Sequence, residues 1–203
     1  CILIIGESAR TENFSLFGYE QSTNPLLEND GVVAIRAKAS DTYTTEATKA
    51  ILSHKPGKQL YEILPNYLER NGVDVIWRTS NWGTPPIHVK KYYRKGDLQK
   101  RFPDAEEKEF DGILFYGLKD EIMASEGKKV FIGIHTYTSH GPKYFANVPE
   151  EYKVFLPECT TVDVATADQT ELINAYNNTI IYTDYLVHSV IEMLQTQFPD
   201  RRS

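Results

Sequence analysis

The chain carries two cysteines, Cys1 and Cys159, and no Cys-x-x-Cys pair. That excludes a disulfide-stapled scaffold and a thiolate metal or redox motif of the usual spacing. Cys1 sits in an apolar run and Cys159 in a Pro/Thr-rich stretch, so a bridge between them is not expected. A basic face is also missing. Lys and Arg total 22 against 28 Asp and Glu, a net charge of −6 with both signs interspersed, which argues against a nucleic-acid partner. No apolar stretch approaches the roughly 18 to 20 residues that span a bilayer. There is no signal peptide, internal repeat or low-complexity tract. The chain opens inside a strand-like run with no initiator Met, as expected of a piece of a longer protein, so these last absences say little about targeting.

What is present is the composition of a globular protein, 41% hydrophobic and 25% charged over 203 residues, enough for one sizeable core. The opening run Cys1-Ile-Leu-Ile-Ile5 reads as a strand buried on both faces, of the kind found in parallel sheets. Further strands are predicted at Val32–Ala37, Val73–Arg78 and Lys129–His135, with helices between them at Leu60–Arg70 (bent at Pro65), Phe110–Ala124 and Thr170–Phe198. In the last, Leu172, Tyr176, Ile180, Thr183, Val187, Val190 and Leu194 recur at three- and four-residue steps as one stripe. This alternation predicts a layered α/β/α fold with a mostly parallel sheet. Residues 79–105, rich in Asn, Gly, Pro, Lys and Tyr, read as a long surface excursion.

Three constellations could carry chemistry. Gly6-Glu7-Ser8-Ala9-Arg10 places a carboxylate beyond a core strand, where open α/β sheets bind ligands, although an acid there also serves as a helix cap. Read as a Gly-x-Ser-x-Gly nucleophile elbow it fails at Arg10, where the closing glycine must allow tight packing. The run from Ala39 to Ala50 sets five Ser/Thr hydroxyls around the start of a helix expected near Thr45, with Thr48 in its first turn. Thr44 or Thr45 is then either a simple cap or a hydroxyl activated at the helix terminus. His135 and His140 flank a turn beyond an apolar strand and suit a metal, a proton or a phosphate. His54, His88 and His188 lack such context. Glu7, the Thr44/Thr45 region and His140 each follow a predicted strand, so in a parallel sheet they converge on one edge. Carboxylate, hydroxyl and imidazole together suit Zn²⁺ activating an alcohol nucleophile.

Gly6-Glu-Ser-Ala-Arg10, Asn13-Phe-Ser-Leu-Phe-Gly-Tyr19, Thr23-Asn-Pro25, the Thr-rich run, Trp77-Arg78, Ser139-His-Gly-Pro142, Tyr176-Asn-Asn-Thr179 and Tyr182-Thr-Asp184 together resemble the phosphoethanolamine transferases of Gram-negative envelopes. These belong to the alkaline-phosphatase and sulfatase superfamily and include lipid A modifiers that confer polymyxin resistance. The resemblance spans essentially the whole chain. It implies that Glu7 is a zinc ligand, that Thr45 is both zinc ligand and nucleophile, and that His140 contacts the substrate or a second metal with His135 nearby, both counted as substrate-binding residues. Phosphoethanolamine would pass from phosphatidylethanolamine to lipid A, a core sugar or a similar envelope acceptor through a covalent threonine intermediate. The resemblance also implies a transmembrane domain preceding this one and a place on the periplasmic face of the inner membrane.

The chain departs from that pattern in three places. Where better-known members flank the nucleophile with cysteines, Asp41 and Ala50 stand here, which leaves the register open between Thr45 and Thr44. After Trp77-Arg78, an Asn and a Lys bind substrate in those members; here Ser80 and Asn81 follow, with no Lys at the matching spacing. The family completes its zinc site with Asp-His-Gly on a later strand, expected beyond Ser203. A sulfatase-type hydrolase would need a Cys/Ser-x-Pro-x-Arg motif, and none occurs. Phosphoglycerol transfer, which uses the same Glu and Thr chemistry, stays open, as does a non-catalytic domain of the same fold. Lys90, Lys91, Arg94, Lys95 and Lys100, interleaved with Tyr92 and Tyr93, are either a contact for anionic headgroups or a solvated charged loop.

Overall fold

Strand ends, rather than helices, organise the molecule around its site. In the computed structural model, which describes residues 1–54, 62–125 and 129–199, strands β1 (Ile2–Ile5), β2 (Asp74–Thr79), β3 (Lys91–Arg94) and β4 (Val130–His135) form a parallel sheet. Their order is β1-β4-β2-β3. The helices are α1 (Pro25–Asn29), α2 (Thr44–Leu52), α3 (Leu64–Arg70), α4 (Lys95–Arg101), α5 (Leu118–Met123) and α6 (Gln169–Gln197), with short 3₁₀ turns between them.

Alternation along the strands sorts the core into two layers. Ile2 and Ile4 of β1, Ile76 of β2, and Ile132 and Ile134 of β4 pack with Leu98 of α4, Leu118 and Ile122 of α5, and Val190 of α6. On the other face Leu3, Ile5, Trp77 and Tyr92 meet Leu52 of α2, with Ile63 and Ile87. The expected α/β/α arrangement is thus what the chain adopts. Gly133 is the exception in β4 that lets the fully buried Trp77 lie across the sheet: a Cβ there would stand 2.2 Å from the indole. Gly133→Ala is accordingly expected to cost about 3 kcal/mol through overpacking. Urea unfolding measures it, and a midpoint unchanged from wild type would contradict the packing described.

Several expectations need correction. Cys1–Ile5 forms a strand, but β1 lies at the edge of this sheet, so Ile2, Leu3 and Ile4 are only half-buried and Ile5 alone is buried. Val32–Ala37 forms no strand: Val33 is 87% and Ile35 75% exposed, and the segment pairs with none of the described strands. Its β-branched residues favour extended backbone, but without a partner edge no ladder forms. The helix expected over Phe110–Ala124 breaks into a 3₁₀ turn at Asp111–Leu114 and α5, because Gly117 takes φ +69° between them. The 79–105 excursion contains β3 and α4. The helix expected over Leu60–Arg70 begins at Leu64; Leu60 itself lies outside the described residues.

α6 matches its predicted span closely, and Asp168 caps it, accepting from the Thr170 and Glu171 amides at 2.8 and 3.0 Å. Its middle is buried all round, so polar residues outside the stripe also find partners. Asp184 receives the Leu26 and Leu27 amides of α1, Asn178 ties down Phe155, and Asn177 bonds Asn13 and Gln21. Among the described residues no helix is long and apolar enough to cross a membrane.

Candidate active site

Ile5, His135 and Thr79 stand in register across β1, β4 and β2, so three chain segments leave the sheet along one line. They carry Glu7, Thr136–His140 and Ser80–Asn81. The carboxyl ends of parallel strands are where such sheets bind ligands.

Glu7 lies two residues past β1 and is 8% exposed. Ser8 beside it adopts φ +46°, a left-handed conformation costing a non-glycine residue about 1–3 kcal/mol. Tyr176 of α6 holds that turn: its hydroxyl donates to the Ser8 carbonyl at 2.9 Å and accepts the Arg10 amide at 2.7 Å. Glu7 is not a helix cap. Its carboxylate instead accepts the Ser8 hydroxyl at 2.7 Å, the Thr44 hydroxyl at 3.1 and 3.3 Å, and the Asn81 side-chain amide.

Thr44 reaches Glu7 as the first residue of α2, a helix seated on the sheet by Leu52, with Thr48 also buried. Neither threonine caps that helix; the cap position is Tyr43, with no side-chain bond to the first-turn amides. Thr45 is one residue, or about 100°, further round the helix and is exposed. The structure therefore brings Thr44 to the carboxylate and leaves Thr45 in solvent. Gly83 packs against it, since a Cβ at that position would stand 2.9 Å from the Thr44 Cβ. Thr44 arrives from a helix end and a loop, not from the strand expected over Val32–Ala37.

Asn81 is buried and joins the site fully. Its amide also donates to the Thr136 carbonyl at 3.2 Å, and its Oδ1 accepts the Gly83 amide at 2.9 Å. Ser80 points elsewhere, donating to Asp111 Oδ1 at 2.6 Å. Asp111 is 4% exposed, and its other oxygen accepts the Tyr137 and Thr138 amides at 2.6 and 2.8 Å and the Thr138 hydroxyl at 2.6 Å. It thus fastens the Ser80–Asn81 segment to the loop that carries His140. Sequence reading missed both Asp111 and Tyr176. The signal for Asp111 was the breaker pair Asp111-Gly112 inside a supposed helix; Tyr176 was absorbed into the apolar stripe although a buried phenol needs a partner.

The two histidines differ. His135 is wholly buried at the end of β4, and neither ring nitrogen has a partner among the described residues. Burial lowers its pKa to about 4 against the opposing pull of Glu7 and Asp111, so it is neutral near pH 7. His140 is half-buried, stacked on Tyr137 with centroids 4.5 Å apart. Its Nδ1 lies 2.9 Å from the Gly141 carbonyl and so carries the proton, leaving Nε2 for a ligand. His188 has a structural partner in Asp30 at 2.9 Å.

Glu7 and Thr44 are adjacent oxygen donors of the type zinc accepts, but they make only two of the four it ordinarily takes. No cluster of three or more His, Cys, Asp or Glu suited to a metal occurs among the described residues. A hydroxyl within hydrogen-bond reach of a buried carboxylate, as Thr44 is of Glu7, is the arrangement that an alcohol nucleophile and its base require.

The phosphoethanolamine transferase EptA of Helicobacter pylori is 36% identical to this chain over 199 residues, covering 96% of it and 38% of the relative. The chain thus spans less than two fifths of that relative's length. Two solved structures superpose on nearly all of it. The C-terminal periplasmic domain of Campylobacter jejuni phosphoethanolamine transferase EptC gives a TM-score of 0.83 at 28% identity, over 97% of this chain and 63% of that one. The soluble domain of Neisseria meningitidis lipooligosaccharide phosphoethanolamine transferase A gives 0.84 at 27%, over 97% and 62%. The family model described as Sulfatase matches residues 1–202, and on that match, with the parallel sheet and its carboxyl-end site, the chain belongs to the sulfatase family.

Proposed function

We propose that this chain is the phosphoryl-transfer core of a zinc-dependent phosphoethanolamine transferase, with Thr44 rather than Thr45 as its nucleophile. The observation that carries the reading is the Thr44 hydroxyl 3.1 and 3.3 Å from the two oxygens of buried Glu7. The relatives' names supply the transferred group; the donor proposed is phosphatidylethanolamine and the acceptor lipid A or another envelope glycan. The name of the Campylobacter jejuni domain supports a periplasmic place; the inner membrane and a transmembrane part outside these residues come from the family resemblance. A link to polymyxin resistance rests on the family resemblance alone.

Glu7 and Thr44 would hold the zinc, which when bound lowers the hydroxyl pKa and offsets charge on the phosphoryl oxygens. The remaining donors, by resemblance an Asp and a His, would come from elsewhere in the natural protein. Thr44 Oγ gives its proton up toward Glu7 and forms a bond to phosphorus in line with the breaking bond to diacylglycerol, whose oxygen leaves with the electron pair and takes up that proton. The acceptor hydroxyl then attacks the phosphoethanolamine ester of Thr44 and restores the threonine. Asn81 holds Glu7 in position throughout, and His140 Nε2 serves the substrate. His135 supports the site from beneath as a neutral ring.

Quenching the full-length protein with donor and no acceptor, then mapping it by mass spectrometry, should place the added phosphoethanolamine on Thr44. Label on Thr45 or on Ser8, or none with turnover intact, would overturn the assignment. On its own the 203-residue chain is expected to bind zinc no more tightly than about 10 μM, since two donors are half a tetrahedral set. Chelator competition near neutral pH measures this, and nanomolar binding would reveal a donor set that Glu7 and Thr44 do not account for.

A further inference from the structure

Tyr182 of α6 is wholly buried, and its hydroxyl stands in a chain of polar contacts that ends at the candidate site. We propose that Tyr182 is a positioning residue: its hydroxyl sets the place of Asp111 and, through Asp111, of the segments that carry Asn81 and His140. The part that concerns turnover rests on the transferase reading above; the part that concerns the loops stands without it.

The hydroxyl oxygen accepts the Gly112 amide at 2.9 Å, and its proton is donated to the Glu107 carboxylate. Burial holds the phenol well above its ordinary pKa, so that proton stays in place. Glu107 is in turn pressed against the chain at Gly112, where a Cβ would stand 2.0 Å from its Oε2. Gly112 follows Asp111, so a fixed Gly112 amide fixes the peptide that joins the two at the start of the 3₁₀ turn Asp111–Leu114. The far end of the same turn is gripped from β2. Arg78, also wholly buried, donates from Nη1 to the Leu114 and Tyr116 carbonyls at 3.0 and 2.6 Å. On its outer side the turn borders an open cavity of about 390 Å³, lined by Gly112 and Ile113, where packing cannot supply the hold. The hold matters because Asp111 meets four donors from two separate segments at 2.6 to 2.8 Å. A displacement of about half an ångström takes such bonds toward the limit of useful length. Tyr182 makes its bonds to Gly112 and Glu107 and none to Glu7, Thr44 or His140 among the described residues, so its effect on the reaction passes through Asp111.

The test uses the full-length protein and amide hydrogen exchange read by mass spectrometry. In Tyr182→Phe the peptide carrying Tyr137 and Thr138, whose amides Asp111 accepts, should exchange at least about tenfold faster, while the peptide of β4 exchanges as in wild type. A role confined to general stability would speed both peptides or neither, and either result overturns the proposal. Glu107→Gln still offers the hydroxyl an oxygen and should hold exchange within about threefold of wild type, whereas Glu107→Ala should behave as Tyr182→Phe does. That pair decides the matter if Tyr182→Phe does not fold. With a fluorescent phosphatidylethanolamine analogue, Tyr182→Phe should lower kcat about tenfold, and added to Asp111→Asn it should lower kcat by less than about a further twofold. An unchanged kcat, or losses that multiply in the double variant, ends its part in turnover. A wild type that turns over no donor sinks the transferase reading instead, and the exchange measurement still decides the loops.

Discussion

Thr44→Ala in the full-length protein is expected to lower turnover of a fluorescent phosphatidylethanolamine analogue by at least about a thousandfold, and Thr45→Ala by no more than about threefold. The two residues are chemically identical and adjacent, so the contrast isolates position. Thr44 Oγ lies within hydrogen-bond reach of both Glu7 oxygens, whereas Thr45 is exposed. Removing the hydroxyl removes the atom proposed to bond phosphorus, and among the described residues no neighbouring group replaces it. Ser8 is nearest in chemistry, but its hydroxyl is also committed to Glu7, from a turn that Tyr176 fixes. Thr44→Ser should retain measurable activity, since the oxygen survives and only a methyl against the Gly83 strap is lost. Full activity in Thr44→Ala, with Thr45→Ala inactive, would return the nucleophile to Thr45 and void the placement of α2.

Asp111→Ala is expected to destabilise the protein by about 3–5 kcal/mol, the range for deleting one partner of a buried, charge-assisted network. Four donors lose their acceptor at once: the Ser80 hydroxyl, the Tyr137 and Thr138 amides, and the Thr138 hydroxyl. Asp111→Asn keeps the shape but turns an NH₂ toward groups that are themselves donors, so about 2 kcal/mol is expected. Both figures come from denaturant unfolding. Because Asp111 joins the segments carrying Asn81 and His140, the Asn variant should also lose turnover when assayed at a temperature where it stays folded. An Ala variant as stable as wild type would show that these loops hold themselves.

Much of the architecture could be read without coordinates because it follows from periodicity. The largely apolar runs ending at Ile5, Arg78 and His135 read as strands, although β1 lies at an edge and buries only Ile5, and the stripe from Leu172 to Leu194 reads as one long helix. The failures occur where a local pattern needs a distant partner. Val32–Ala37 has strand-forming residues but no edge to pair with. Lys91–Arg94 looks like a charged loop yet becomes β3, because β2 offers its edge and Asp74 neutralises Lys91. Gly117 cuts a run that would otherwise read as one helix.

The candidate site divides in the same way. Motif spacing marks Glu7, a threonine at a helix start and the His135–His140 pair, since side-chain chemistry is a property of each residue where it stands; Asn81, with Ser80, comes from the family resemblance. Which threonine faces the carboxylate depends on the rotation of α2, whose Leu52 packs against the sheet, and a 100° step separates the two candidates. That Ser80 serves Asp111 while Asn81 serves Glu7 depends on the path of the chain beyond β2. The pairing-off of Lys91 and Arg101 depends on carboxylates from β2 and α5. Those choices are made by packing between segments far apart in the chain, and only the folded arrangement makes them.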